Sequence, residues 1–237
     1  MKIIKTSLMA MAILLVSVGI GRAQTADEVI QKYITAVGGA DAWKKVKSVR
    51  MIGAVNYNGT ELPVTVTFLT KKAMRAEYSM NGMTGYDIVT DKEGWTFNPF
   101  MGQKEAQAKT AEEVKENQDQ LDQMPLLDYK TKGHKVVYIG KDDIAGNACY
   151  KLQLTLATGK EETLYFDAKS YYQVRAVSKT KANGKDVESV ANYSNYQKLP
   201  EGISVPMTVE SEMGPFAIKT VEINKNVDES IFKPSKG

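Results

Sequence analysis

Residues that commonly carry enzyme chemistry are scarce in this chain, which holds one histidine, His134, and one cysteine, Cys149, among 237 residues. A catalytic zinc ion needs several imidazoles or thiolates converging on it, so a metal site is not expected. A nucleophilic triad would have to use His134 as its base, and no Gly-x-Ser-x-Gly elbow is present. His134 falls where a loop meets a strand pattern, a position that predicts a surface residue. Cys149 sits beside Tyr150 in an alternating apolar run. Alone it cannot close an intramolecular disulfide, and it reads as a small buried hydrophobe.

The acidic pairs Glu112-Glu113, Asp142-Asp143 and Glu161-Glu162 are weak candidates for acid-base work or for calcium. Neighbours on a strand point to opposite faces, and acids in turns are usually solvated. Neither a Gly-x-x-x-x-Gly-Lys loop nor a Gly-x-Gly-x-x-Gly motif is present to cradle a phosphate. Asn58-Gly59-Thr60 fits a glycosylation acceptor but is explained as a turn, and Asn192-Tyr193-Ser194 also fits. The expectation is a chain with no catalytic residues, no metal and no cofactor.

What remains is an apolar surplus at Trp95, Phe97, Phe100, Met101, Met124, Leu126 and Leu127, around a segment near residues 106–129. Ordinary core is one explanation. The other is an adaptable pocket for acyl chains, for which Met and aromatic side chains are suited because they repack easily.

The elements that would position these residues can be read from periodicity. Thr25 and Glu28 form a capping box ahead of Val29, Ile30, Tyr33, Ile34 and Val37, which predicts an amphipathic helix ended by Gly38-Gly39. A short second helix, residues 41–46, would turn Trp43 inward. From Ser48 the period becomes two, with hairpin turns at Asn58-Gly59, Asn81-Gly82 and Asp91 to Gly94. Residues 99–133 break the pattern, and Ala106 to Leu121 reads as a helical insertion. Strands resume at Lys135, among them the alternating run Tyr150, Leu152, Leu154, Leu156, with further turns at Ala145-Gly146-Asn147, Thr158-Gly159 and Asn183-Gly184.

The fold class is therefore α+β and mainly antiparallel β. About 10–11 strands would form a twisted sheet curling into a half-open barrel, its concave face covered by the N-terminal and inserted helices.

The first 23 residues read as a cleavable secretory signal peptide: Lys2 and Lys5, an apolar run from Leu8 to Ile20, then Gly21-Arg22-Ala23 with cleavage after Ala23. The run is 13 residues long, short of the ~20 needed to span a bilayer. No cysteine follows it to accept a lipid. Its removal takes away three basic residues and leaves 28 basic against 28 acidic. That balance gives no reason to expect nucleic-acid binding. Residues 24–237 are of a length for one domain, and no Pro/Gly/Ser-rich linker divides them.

Three stretches resemble the outer-membrane lipoprotein-sorting proteins, the LolA/LolB-like superfamily of periplasmic lipoprotein carriers, especially its diverged Bacteroidetes-type members. They are Thr70-Lys71-Lys72-Ala73-Met74-Arg75-Ala76-Glu77, Asp91-Lys92-Glu93-Gly94-Trp95-Thr96-Phe97-Asn98, and Leu164-Tyr165-Phe166-Asp167-Ala168-Lys169 running into Gln173-Val174. Ile231-Phe232-Lys233-Pro234-Ser235-Lys236-Gly237 is similar to the family's terminal pattern.

The resemblance implies a half-open barrel whose apolar cavity holds the acyl chains of a lipid or lipoprotein, in a monomeric carrier that exchanges cargo with membrane-associated donor and acceptor proteins. It also implies an arginine that fixes the lid, for which Arg50 and Arg75 are both open. The alternative is a secreted interaction module of the same fold with its cavity filled by side chains, of the kind appended to secreted peptidases.

Overall fold

The computed structural model describes residues 25–57, 59–182 and 185–235. The signal-peptide reading, Asn58 of the first hairpin turn, the Asn183-Gly184 turn and the final Lys236-Gly237 lie outside the described residues.

Helix α1 (Ala26–Ala36) starts at the anticipated capping box: the Thr25 hydroxyl accepts the Glu28 N–H, and Glu28 Oε2 accepts the Thr25 N–H at 3.0 Å. Gly38 and Gly39, at φ +113° and +89°, let the chain turn back into α2 (Ala40–Lys44). Gly38 serves a close approach as well, since a Cβ there would meet Gly202 O and Ile203 Cα. The Ser204 N–H donates to Val37 O beside it.

Six strands follow in order: β1 (Ser48–Tyr57), β2 (Thr60–Leu69), β3 (Ala73–Met80), β4 (Met83–Thr90), β5 (Gly94–Phe97) and β6 (Gln107–Ala108). Past α3 (Ala111–Asn117) come β7 (Lys135–Ile144), β8 (Asn147–Thr155), β9 (Glu161–Asp167), β10 (Gln173–Ala182), β11 (Lys185–Lys198), β12 (Ser204–Ser211) and β13 (Gly214–Ile223).

Among the described residues these thirteen strands make one antiparallel sheet, ordered β6-β5-β4-β3-β2-β1-β13-β12-β11-β10-β9-β8-β7. Two meanders are joined in the middle by the β1–β13 pairing, and the sheet is open, with β6 and β7 at its edges. Register shifts at Ile52/Gly53, Tyr138/Gly140 and Gln173/Arg175 bend and twist it, as bulges do.

Two of the strands exceed the sequence count, for local reasons. Thr70–Lys72 is a turn, with Lys71 at φ +61°, so within the stretch Thr70 to Glu77 the strand begins only at Ala73. No glycine marks that turn. Gln107 and Ala108 pair with Thr96 and Trp95 as β6 instead of opening a helix. The insertion's helix starts only after a second capping box, Thr110 with Glu113, and passes through a 3-10 turn at Gln118–Leu121. Residues 122–134 are turns and irregular chain.

The inner face of the sheet, the one that carries the helices, holds the core in three places. Under α1, Val29 and Ile30 pack on Leu152, Leu154, Leu164 and Phe166, with Leu152, Leu154 and Phe166 wholly buried. Each such side chain contributes ~1.5–3 kcal/mol. Under α2, Trp43 rests on Val49, Ile203, Val205 and Ile218. Over β3 and β4, Leu121 of the insertion meets Met74 and Val89. Cys149 is buried, and burial pushes its thiol pKa up.

Candidate functional site

The topology sets the course of the insertion. It leaves from β6 at one sheet edge and must arrive at β7 on the other, so residues 109–134 cross the inner side of the sheet. Its apolar side chains seat one after another on different parts of that face. Leu121 rests on β3 and β4, Met124 and Leu127 on Val37, and Leu126 on the cluster beneath α1.

Polar tethers hold the insertion at its margins. The Lys71 N–H donates to Leu121 O at 2.9 Å, and Gln118 Nε2 donates to Asp91 O. The Thr158 hydroxyl donates to Asp119 at 2.7 Å. Lys132 Nζ donates to Met124 O and pairs with Asp122 at 2.6 Å. Asp128 pairs with Lys44 at 2.9 Å. Asp27 of α1 accepts from the Tyr129 hydroxyl and from Lys130, contacts that hold its carboxyl below the usual range.

Two clefts open along the insertion. The larger, about 580 Å³, lies between residues 122–132, α2 and the β2–β3 turn. Its apolar lining is Trp43, Val46, Leu69, Met124 and Leu127, and five lysines and three carboxylates stand around it. The smaller, about 460 Å³, lies between α1 and residues 126–131. Both are lined by Leu127, Asp128 and Thr131. Volumes of this size suit a small-molecule ligand.

Beneath Met124 is a group of tyrosines. The Tyr33 hydroxyl points to Met124 Sδ at 3.7 Å, and Tyr172 and Tyr196 stack at 4.1 Å with an interplanar angle of 5°. Burial drives the phenol pKa of Tyr33 and of Tyr196 far above the ordinary value, so both stay neutral. Tyr150 is pushed up to about 12, chiefly by the phenol of Tyr171 stacked against it and then by burial. His134 Nδ1 accepts the Ala157 N–H at 3.0 Å, and burial together with nearby Lys132 lowers its pKa. Among the described residues no three His, Cys, Asp or Glu side chains converge as metal ligands.

The seven residues singled out from sequence are distributed over both faces of the sheet. Met124 and Leu127 come together at the larger cleft, and Leu126 and Leu127 line the smaller one. Trp95 and Phe97 alternate onto the outer face, where they pack with Tyr86, Ile88 and Phe232. Phe100 packs on Tyr78 at 5.7 Å between ring centres, and Met101 is 80% exposed.

Arg75 also points outward: it donates to Ile231 O, pairs with Glu77 and lies 4.1 Å from the Tyr86 ring centre. Arg50 is exposed and pairs with Glu222. Neither arginine pairs with the insertion; Lys109, Lys132, Lys130 and Lys44 supply its ion pairs. Sequence reasoning missed Lys47 and the Thr70–Lys72 turn as cleft residues. Their one local signal was the polar Thr-Lys-Lys break after the alternating run of β2.

No family model matches the chain, and no curated protein sequence does. Solved structures do resemble it. A LolA superfamily protein from Nitrosomonas europaea aligns over 89% of this chain and 98% of its own, at 11% identity and a TM-score of 0.55. A DUF1329 family protein from Desulfovibrio piger aligns over 86% and 97%, at 14% identity and a TM-score of 0.47. A domain assigned to outer-membrane lipoprotein sorting in Vibrio parahaemolyticus aligns over 83% and 97%, at 9% identity and a TM-score of 0.48. The first of these establishes that the chain has the LolA-like fold, as its sequence motifs implied.

Proposed function

We propose that this LolA-like chain is a non-enzymatic carrier, exported to the periplasm with cleavage after Ala23 and working as one domain over residues 24–237. It shields the acyl chain of a lipid or acylated lipoprotein between the insertion, α2 and the β2–β3 turn. The observation that carries this reading is the cleft of about 580 Å³ lined by Trp43 of α2 and by Met124 and Leu127 of the segment that joins the two open edges of the sheet.

Each methylene moved from water into such a cleft contributes ~0.8 kcal/mol. A chain longer than the cleft can be lodged by displacing Met124 and Leu127, because methionine repacks at small cost. The insertion acts as the lid, and its movement releases the cargo to a membrane-associated acceptor. Trp95, Phe97, Phe100 and Met101 take no part in the cavity under this reading.

Delipidated protein should shield a fluorescent fatty acid from water. The double substitution Asp119→Cys with Thr158→Cys, which joins residues in hydrogen-bond contact, should slow loading when oxidised and restore it when reduced. Absence of binding by the reduced protein would sink the carrier reading.

The dense packing of Val29, Leu152, Leu154 and Phe166 favours a second reading, an interaction module of the same fold whose barrel is filled. Such a module would leave the probe in water and still fold cooperatively.

A further inference from the structure

The larger cleft is amphipathic in a particular arrangement. Its floor is Trp43, Val46, Met124 and Leu127, and its mouth is the β2–β3 turn. The Thr70 N–H donates to Lys47 O, which sets Lys47 beside Lys71 and Lys72 on that turn. All three of these lysines are exposed. Of the other charges around the cleft, Lys44 is neutralised by Asp128 and Lys132 by Asp122, at 2.9 and 2.6 Å. Lys47, Lys71 and Lys72 then face a single remaining carboxylate, Glu229, and the mouth is cationic.

Two cleft residues, Thr70 and Gln123, carry buried side-chain oxygens without a hydrogen-bond partner. A buried polar atom left unpaired is destabilising, and its retention asks for an explanation. Gln123 Nε2 is engaged with Leu121 O, so the orphan on that side chain is an acceptor. Thr70 is on the turn and Gln123 on the insertion, so movement of the insertion would uncover both together.

We infer that this cleft takes a single-chain amphiphile with an anionic head. The chain lies on Trp43, Met124 and Leu127. The carboxylate or phosphate oxygens sit among Lys47, Lys71 and Lys72 and accept from the Thr70 hydroxyl, and a head-group hydroxyl donates to Gln123. The inference rests on the carrier reading and narrows it to a class of ligand.

Calorimetric titration of the delipidated protein with lauric acid, 1-lauroylglycerol 3-phosphate and 1-lauroylglycerol compares three heads on one chain. At low salt the phosphate and the carboxylate should each bind about tenfold tighter than the uncharged acylglycerol, a gap that narrows as salt screens the exposed lysines. A tighter phosphate than carboxylate assigns the head to phosphate, and the reverse order assigns it to carboxylate. The combined variant Lys47→Gln, Lys71→Gln, Lys72→Gln should bring all three to the affinity of the uncharged probe.

Thr70→Val should raise the thermal midpoint of the free protein while weakening both anionic probes. A residue with only a structural role would lose stability on the same change. Equal affinity of the parent protein for all three probes overturns this inference and leaves the carrier reading standing. Failure of all three to bind overturns both.

Discussion

On the outer face of β3–β5, the end of the chain presses Phe232 into Tyr86, Ile88 and Ala73, and the Arg75 guanidinium is enclosed between the Tyr86 ring, Glu77 and Ile231 O. On the inner face of β3 and β4, Leu121 seats on Met74 and Val89, and the insertion then departs over a cleft of about 580 Å³. Both covers bring their apolar side chain, Phe232 or Leu121, to the same strands on a short 3-10 turn. The outer one is sealed by apolar contact and an enclosed cation. The inner one is seated by Leu121, Met124, Leu126 and Leu127 and fastened by ion pairs of two kinds, Lys44–Asp128 and Lys130–Asp27 with side chains half or more exposed, and Lys132–Asp122 and Lys109–Asp87 with lysines that are largely covered. Exposed pairs are worth ~0–1 kcal/mol each, so what separates the covers is the cleft left open beneath the inner one, where the side chains nearest it can move without opening the rest. Under the carrier reading, the tail chiefly holds the sheet, reaching the cleft only through Glu229, and the insertion is the part that moves.

The sharpest way to break that assignment is to cut each cover in turn. Phe232→Ala removes an aromatic ring that is 5% exposed and should cost about 3–5 kcal/mol in urea unfolding. Affinity for a fluorescent fatty acid, measured per folded molecule, should fall by no more than about twofold, because Phe232 is on the outer face and only Glu229 of its turn reaches the cleft. A larger loss of affinity would place the tail in the gate. Arg75→Ala should cost about 2 kcal/mol by the same measurement, through the lost bond to Ile231 O and the lost stacking on Tyr86. It should leave binding alone, because Arg75 is on the face away from the insertion.

That difference between the faces also marks where sequence reading stopped. The capping boxes at Thr25 and Thr110, the alternation through Tyr150–Leu156 and the buried Cys149 were legible because each depends on neighbours a few residues apart. The open sheet with helices over its inner face followed from these signals. Trp95 and Phe97 were grouped with Met124 because all are apolar and near the insertion in sequence. Which face a side chain takes depends on register, Trp95 opposite Ile88 and Phe97 opposite Tyr86, and register is set by the partner strand. The turn at Lys71, which positions the mouth of the cleft, holds a positive φ without a glycine to announce it.

A smaller effect is expected from loosening the inner cover. Lys132→Met removes the pair with Asp122 and the bond to Met124 O, in a setting where the lysine side chain is 17% exposed. The expected loss of stability is about 1–2 kcal/mol. Dissociation of a bound fatty acid, followed by stopped flow, should become several-fold faster, because the tether lies beside the methionine that the ligand displaces. Slower dissociation would mean that Lys132 holds the lid open and not shut.

The smallest effect expected is a pH dependence at the insertion's far end, where His134 leads into β7. Its Nδ1 accepts the Ala157 N–H, so the neutral ring is the form that fits, and burial and Lys132 both disfavour the imidazolium; Asp122, Asp119 and Glu162 oppose them more weakly. With the folded pKa below that of the unfolded chain, the unfolded state binds more protons in the interval between the two. Stability from this residue is therefore complete above the ordinary imidazole pKa of ~6.5 and is lost as pH falls through the folded value. Because the chain has one histidine, its ring resonance reports this titration without assignment. The midpoint should fall below 6.5 and move upward in Lys132→Met, since one of the two causes of the shift has been removed. A midpoint at or above 6.5 in the parent protein would mean that the ring is not held against Ala157, and that the junction of insertion and β7 is looser than the contacts under α1 require.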